Sequence, residues 1–199
     1  MTLDGQSGVG KSTMIDLLGE RLRRLGHQVL PTRTPSPSAL GSMARDGTFE
    51  FRGLELSLLV AADRYHHERT VVRSALADGT IVICDRYVAS SIVLDQADGV
   101  PAELLRSVYA QLPMADLSII LYGEPALCAR RASARGHYSR FHSTDVLANQ
   151  RERDAFLRAA TELRRRGQPV LTHHIGGHAA DVVAAHLSDA IRAVARRSA

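Results

Sequence analysis

A glycine-rich octapeptide at residues 5–12 constrains the fold more than any other feature of the sequence. It reads Gly-Gln-Ser-Gly-Val-Gly-Lys-Ser and fits the pattern G-x-x-x-x-G-K-[ST], with a short apolar segment before it and an amphipathic segment after it. Glycines let backbone N–H groups surround phosphate oxygens, and the positive end of the following helix dipole faces the same anion. In this pattern Lys11 is expected to reach the β- and γ-phosphates of a nucleoside triphosphate, and the Ser12 hydroxyl to bind Mg²⁺. We call residues 5–12 the P-loop.

Lysine occurs once in the sequence, at Lys11, although lysine and arginine together number 25. All the remaining residues of this pair of types are arginine. The presence of lysine inside the P-loop alone therefore indicates a chemical requirement there. The net charge of +4 is unevenly distributed, because residues 130–166 contain 10 arginines against 4 acidic residues. We interpret this basic block as a segment that closes over an anionic ligand.

The composition excludes several classes of protein. With 199 residues, of which 45% are hydrophobic and 23% charged, the chain is predicted to form one globular domain over residues 1–199. Its two cysteines, Cys84 and Cys128, lack the spacing of a metal site. It contains no tryptophan, so a stacking surface for a nucleic-acid polymer is not expected. It has neither an apolar run near the ~20 residues of a membrane-spanning helix nor a visible secretory leader, so we expect a cytoplasmic protein without a membrane partner.

Apolar segments alternate with segments of helical periodicity along the chain. The predicted strands are residues 1–3, 28–32, 80–84, 117–122 and 169–172, and the predicted helices are residues 11–25, 54–77, 101–112, 125–134, 146–166 and 179–197. Strands that alternate with helices favour a parallel sheet covered on both faces. The sequence therefore predicts an α/β fold with a parallel five-stranded sheet.

Asp85 and Arg86 directly follow the predicted buried strand at residues 80–84. In an open α/β sheet, ligands bind beyond the carboxyl ends of the strands. At that position Asp85 is expected to hold Mg²⁺ or its water ligands, and the guanidinium of Arg86 to bind an anion.

Five segments of the chain resemble the thymidylate kinase family in their order and spacing. They are L-D-G-Q-S-G-V-G-K-S-T at residues 3–13, T-R-T-P at 32–35, A-A-D-R at 61–64, D-R-Y-V-A-S-S at 85–91 and R-R-A-S-A-R-G-H-Y-S-R-F at 130–141. The resemblance covers essentially the whole chain. It implies the P-loop NTPase fold of a nucleoside monophosphate kinase, a basic lid at about residues 130–145, and a homodimer. It also implies transfer of the γ-phosphoryl group of ATP to a nucleoside 5′-monophosphate.

The resemblance also implies a role for individual residues. The implied ATP-binding residues are Gly5, Gln6, Ser7, Gly8, Val9, Gly10, Lys11, Ser12 and Thr13. The implied acceptor-binding residues are Arg33, Arg64, Arg86, Ser90 and Ser91. The implied catalytic residues are Lys11, Arg86 and two lid arginines, Arg135 and Arg140. The implied ligands of Mg²⁺ are Ser12 and Asp85.

Several positions on the acceptor side differ from the family. Ser7 stands where the family has an acid that contacts the acceptor sugar, and Val60 and Leu94 stand where it has aromatic rings. Thr34 replaces a glutamate, and Asp95 replaces a glutamine. Our hypothesis is an active kinase whose natural acceptor is not plain dTMP or is bound differently, so that the acceptor is dTMP or a related or modified nucleotide.

Two other functions are compatible with the sequence. A nucleoside kinase would phosphorylate a hydroxyl group and needs a base beside it, for which Asp85 is the candidate. A non-catalytic nucleotide-binding protein would act through its partners, although the residues with implied catalytic roles are all retained. The nucleoside kinase differs from a monophosphate kinase in that its acceptor carries no phosphate.

Overall fold

A five-stranded parallel sheet forms the centre of the molecule. The structure is a computed structural model that describes residues 1–136, 139–142, 144–176 and 178–195. Within these residues the strands are β1 (Thr2–Gly5), β2 (Val29–Arg33), β3 (Ile81–Asp85), β4 (Ser118–Tyr122) and β5 (Val170–His174). They lie in the order β2-β3-β1-β4-β5, and every neighbouring pair is parallel. The predicted α/β fold and strand number are confirmed.

Helices connect the strands in the predicted alternation. They are α1 (Lys11–Arg24), α2 (Ala39–Asp46), α3 (Leu54–His67), α4 (Arg73–Ala77), α5 (Val88–Ala97), α6 (Ala102–Val108), α7 (Pro125–Ala134), α8 (Val146–Arg165) and α9 (Ala180–Ala195). The predicted helix at residues 54–77 is continuous, but a π-helical segment, Glu68–Val72, joins α3 to α4. The predicted end of the last helix, at residues 196–197, lies outside the described residues. None of the helices in the described ranges is both long and apolar enough to cross a membrane.

Both faces of the sheet are buried, as the continuous apolar strands predict. Along β4, Ile119 and Leu121 are fully buried in one apolar cluster that includes residues of α1 and α9. Ile120, on the opposite face, is fully buried in a second cluster with Phe156 and Ala160 of α8. An all-parallel sheet requires this coverage on two sides.

The strand ends bring the predicted site residues to one edge of the sheet. β1 extends to Gly5, two residues beyond the predicted strand, so the P-loop begins inside the sheet. Leu3 lies beside Asp85 of β3, and Arg33 of β2 lies beside the same Asp85. The carboxyl ends of β1, β2 and β3 therefore meet where the P-loop leaves β1.

Helix α5 is absent from the sequence prediction and is the main error in the fold. It begins directly after Asp85-Arg86-Tyr87 and packs against α8. Its sequence is V-A-S-S-I-V-L-D-Q-A, in which buried serines interrupt the apolar pattern. These serines are buried because they bind other polar groups of the site, as described below.

Candidate active site

A cavity of about 510 Å³ opens beyond the carboxyl ends of β1, β2 and β3. Its walls come from the P-loop, the ends of β2 and β3, the helices α2, α3 and α5, and the lid. The predicted site residues that line it are Ser7, Ser12, Arg33, Arg64, Asp85, Arg86, Ser90, Ser91 and Arg135. The structure therefore brings the predicted metal and acceptor residues to one cavity, together with two of the nine predicted ATP-binding residues, Ser7 and Ser12.

The P-loop is compact around the side chain of Lys11. Its Nζ donates to the carbonyl oxygens of Gly5 at 2.8 Å and Gln6 at 3.0 Å. Burial, and then the nearby Arg86, lower the pKa of Lys11 to about 8, against the opposite effect of neighbouring carboxylates. Gly8 has a φ of +75°, and a Cβ atom there would lie 2.0 Å from the carbonyl oxygen of Cys128. Glycine at this position therefore permits both the loop conformation and the close approach of α7.

Two polar residues of α8 hold the first half of the P-loop. The Gln6 Nε2 donates to Asn149 Oδ1 at 2.7 Å, and Asn149 Nδ2 donates to the carbonyl oxygen of Ser7 at 2.9 Å. The Ser7 backbone N–H donates to Glu152 Oε2 at 3.0 Å, and the Ser7 hydroxyl to Glu152 Oε1 at 3.3 Å. The Gln6 amide and the Ser7 N–H and hydroxyl thus bind α8 and stabilise the shape of the loop. The sequence analysis had assigned both residues to ATP.

The sequence analysis missed Asn149 and Glu152. Both lie in the arginine-rich block, which makes the surrounding helix resemble a solvated charged surface. Their three-residue spacing places them on the same side of α8 as Phe156 and Leu163, which are buried. Polar residues that share the buried side of a helix with apolar residues are expected to have buried hydrogen-bond partners, and this spacing could have identified Asn149 and Glu152.

Asp85 and Ser12 fit the requirements of a magnesium site. Asp85 Oδ1 is buried and has no hydrogen-bond partner among the described residues, and Ser12 lines the same cavity. Within the described ranges, no group of three or more His, Cys, Asp or Glu residues is arranged to hold a metal. Mg²⁺ in phosphate-transfer sites commonly takes one or two protein ligands and completes its shell with water and phosphate oxygens. The sparse set found here agrees with that chemistry.

Arg86 lines the cavity with its backbone in the left-handed region. Its φ is +67°, which is unfavourable for a residue with a side chain. The Arg86 N–H donates to the Leu3 carbonyl oxygen at 3.0 Å, and the Thr34 hydroxyl donates to the Arg86 carbonyl oxygen at 2.8 Å. Hydrogen bonds from two neighbouring strand ends therefore hold this conformation.

Arg64 is buried and lines the cavity. Its side chain donates to the Ser91 hydroxyl at 2.8 Å and to the Thr34 hydroxyl at 3.3 Å. Its guanidinium carbon lies 5.3 Å from the ring centre of Tyr109, whose hydroxyl is 2.8 Å from Ser91 Oγ. Tyr109 is a further residue that the sequence analysis missed, because it stands after α6 and far from the motifs.

Three of the positions that differ from the family, Val60, Leu94 and Asp95, lie together in the cavity wall. Val60, Leu56 and Leu94 line the cavity beside Asp95. Asp95 is buried and accepts a hydrogen bond from the Ser57 hydroxyl at 2.9 Å. Burial raises the pKa of Asp95, and the nearby Arg64 opposes that rise.

The two predicted lid arginines have different surroundings in the structure. Arg135 lines the cavity, whereas the guanidinium of Arg140 binds the carboxylate of Asp98 and the carbonyl oxygens of Thr48 and Phe51. Arg140 is not among the described residues that line the cavity, and its role at the transferring phosphoryl group stays a prediction. The lid residues 137, 138 and 143 lie outside the described part of the chain.

Comparison with known proteins gives a consistent result. Residues 3–165 match the family model described as thymidylate kinase. The chain is 37% identical over 174 residues to a probable thymidylate kinase of Caldivirga maquilingensis, which covers 85% of this chain and 82% of that one. It is 40% identical over 166 residues to a thymidylate kinase of Clavibacter sepedonicus, with 79% of each chain covered. The crystal structure of a thymidylate kinase from Ehrlichia chaffeensis superposes with a TM-score of 0.72 at 21% identity, covering 96% of both chains, and has the same fold.

Proposed function

The chain belongs to the thymidylate kinase family of nucleoside monophosphate kinases, and we propose that it transfers the γ-phosphoryl group of ATP to dTMP, giving dTDP and ADP. The observation that carries this proposal is the cavity shared by Ser12 of the P-loop and by Arg33, Arg64 and Arg86. One end offers a phosphate-binding loop for the donor, and the other offers cations for an anionic acceptor.

Phosphoryl transfer requires positioning and charge neutralisation more than covalent chemistry. We assign Lys11 to the β- and γ-phosphates, Arg86 and Arg33 to the acceptor phosphate, and Arg135 to the transferring group. Because the phosphate of dTMP is already an anionic nucleophile, the reaction needs no general base. This assignment agrees with the absence of hydrogen bonds to Asp85 Oδ1 from the described residues, since a metal ligand keeps that oxygen available.

We propose that Ser12 and Asp85 hold Mg²⁺. When bound, the ion would neutralise charge on the phosphate oxygens. The P-loop backbone, Lys11 and the start of α1 would bind the remaining charge of the triphosphate.

The names of the relatives favour dTMP itself over a modified nucleotide as the acceptor. We propose that the buried guanidinium of Arg64, which lines the cavity, donates to a carbonyl oxygen of the base. Val60 and Leu94 offer aliphatic contact to the nucleotide where aromatic rings are absent. Loss of base stacking on one ring is worth roughly 1–3 kcal/mol, so we expect weaker binding of dTMP than an aromatic pocket would give.

A coupled ADP-release assay with ATP and Mg²⁺ tests the function. The acceptors would be dTMP, dUMP, UMP, dCMP, dGMP, the matching nucleosides and a blank without acceptor, with Lys11→Ala as the inactive control. Fast turnover of dTMP supports the proposal. Turnover of nucleosides alone would identify a hydroxyl kinase, and fast turnover of another monophosphate would reassign the acceptor.

We also propose a homodimer in the cytoplasm. Leu54 and Leu58 lie one turn apart on α3 and are 47% and 49% exposed, and Phe49, five residues before Leu54 in the sequence, is 59% exposed. Burial of these side chains in a symmetric contact would remove apolar surface from water. Light scattering during size-exclusion chromatography should give twice the chain mass, and a monomer at micromolar concentration would contradict the proposal.

A further inference from the structure

Asp4 is fully buried at the end of β1, beneath the turn that carries Arg86. Its Oδ1 accepts hydrogen bonds from the backbone N–H groups of Tyr87 at 3.0 Å and Ser90 at 3.1 Å, and from the Ser90 hydroxyl at 2.6 Å. One carboxylate oxygen therefore fixes both the residue after Arg86 and the first turn of α5. Asp4 Oδ2 is buried without a hydrogen-bond partner in the described part of the chain. A buried carboxyl oxygen without a hydrogen-bond partner is costly to folding, so the presence of Asp4 here asks for a functional reason.

Ser90 connects this carboxylate to the side chain of Arg86. A hydroxyl has one proton and two lone pairs, and the Ser90 proton is directed to Asp4. The lone pairs remain free to accept, and Arg86 Nη1 donates to Ser90 Oγ at 3.3 Å. Because its proton is used in this way, the Ser90 hydroxyl cannot also donate a hydrogen bond to the nucleotide that accepts the phosphoryl group. The sequence analysis had expected Ser90 to bind that nucleotide.

The backbone and the side chain of Arg86 are thus held from different directions. The left-handed backbone is fixed by the Leu3 carbonyl oxygen and the Thr34 hydroxyl, while Asp4 fixes the N–H of the next residue. The guanidinium is anchored through Ser90. An arginine side chain otherwise samples many rotamers, and ordering it when substrate binds costs conformational entropy.

We propose that Asp4 and Ser90 are positioning residues for Arg86, and that they orient its guanidinium in advance toward the phosphate of the acceptor. This inference rests on the proposed function, because it takes Arg86 as the ligand of that phosphate. Neither Asp4 nor Ser90 contacts the reacting atoms in this arrangement. Both act through the orientation of one cation.

Substitution of Ser90 by alanine tests the connection directly. Ser90→Ala is expected to lower kcat/KM for dTMP about tenfold, since small misplacements of a positioned group have large effects on rate. The KM for ATP is expected to stay within twofold of wild type. Ser107→Ala is the matched control, because Ser107 is an exposed helical serine on α6, outside the cavity. It should leave both kcat/KM for dTMP and the KM for ATP unchanged.

A double-mutant cycle with Arg86→Lys separates positioning from other roles. Lysine keeps the charge but lacks the planar fork of arginine, so this variant retains measurable turnover while losing the oriented contact. In the Arg86→Lys background, Ser90→Ala is expected to change kcat/KM less than twofold. A direct contact between Ser90 and the acceptor, or a general structural defect, would give the same tenfold loss in both backgrounds and would overturn the proposal.

Asp4→Asn provides a second variant. Thermal unfolding first shows whether it folds, and its kinetic constants are then measured. If it folds, it should behave as Ser90→Ala does, and wild-type kcat/KM in this variant would also overturn the proposal. If it does not fold, the Ser90 cycle decides alone. Turnover of dTMP by the wild-type chain tests the proposed function separately. If turnover is absent, calorimetric affinities for dTMP complete the same cycle.

Discussion

The side-chain amide of Asn149 on α8 donates a hydrogen bond of 2.9 Å to the carbonyl oxygen of Ser7 in the P-loop. Asn149 also accepts from Gln6, so one side chain binds two consecutive residues of the loop. α8 begins directly after the lid segment at residues 130–145. The helix that leaves the lid is therefore the helix that holds the phosphate-binding loop.

Asn149→Ala should destabilise the fold and weaken ATP binding together. It would leave the Ser7 carbonyl and the Gln6 amide buried with one partner fewer, which costs roughly 1–3 kcal/mol. Urea unfolding measures the free energy of unfolding, and initial-rate kinetics measure the KM for ATP, which should rise. Gln150→Ala is the control, because Gln150 is exposed on the same helix. Equal behaviour of the two variants would show that the contact with the P-loop is unimportant.

Lys11→Ala should abolish turnover and preserve the fold. Its ammonium group would stabilise charge on the transferring group, and loss of one such donor commonly costs about 10²–10³ in kcat. In the described part of the chain its Nζ donates to two P-loop carbonyl oxygens, so we expect the apolar cores on both faces of the sheet to be unaffected. Circular dichroism should match wild type while ADP release falls. More than a tenth of wild-type turnover would refute the catalytic role.

The ion pair between Arg140 and Asp98 should make a pH-dependent contribution to stability. The hydrogen bond from Arg140 lowers the pKa of Asp98, with further help from the Gly53 N–H and the charge of Arg52. The contribution is therefore full above the unfolded-state pKa of about 3.9 and is lost as the pH falls through the lower folded-state pKa. Burial of Asp98 opposes this lowering of its pKa.

Unfolding of wild type, Asp98→Asn, Arg140→Gln and the double variant at pH 7 and pH 3 measures this contribution. The coupling energy between the two sites should be on the order of 1 kcal/mol at pH 7 and should decrease at pH 3. A coupling that is the same at both pH values would contradict an ionic origin.

Cys128 should resist thiol reagents in the folded protein. It is fully buried, and burial raises the pKa of its thiol, so little thiolate is present at pH 8. Cys84, the other free cysteine, is also buried. Ellman's reagent should titrate two thiols quickly in guanidinium chloride and neither at a comparable rate in buffer. Rapid labelling of the native chain would indicate that the cores open locally.

The strands and the P-loop were predictable because each is encoded within a short segment. A continuous apolar run such as residues 117–122 identifies a buried strand by itself, and the glycine spacing around Lys11 identifies a phosphate-binding turn. The two conclusions support each other, because the loop must follow a strand and precede a helix. Their agreement fixed the carboxyl edge of the sheet as the site.

The missed features depend on pairs of residues that are distant in sequence. The ion pair of Arg140 joins it to a residue 42 positions earlier, and Glu152 binds a residue 145 positions earlier. No periodicity predicts such partners. α5 was missed for the same reason, since Ser90 and Ser91 become suitable for a buried helix only when Asp4 and Arg64 supply their hydrogen bonds.

The left-handed backbone of Arg86 sets stability against activity at a single position. A residue with a side chain costs about 1–3 kcal/mol in this conformation, a cost that glycine avoids. Arg86→Gly is therefore expected to raise the melting temperature of the chain while removing the cation that we assign to the acceptor phosphate. Stability and the supply of a positive charge to the cavity are therefore opposed at this one residue, and no substitution at position 86 with glycine can improve both.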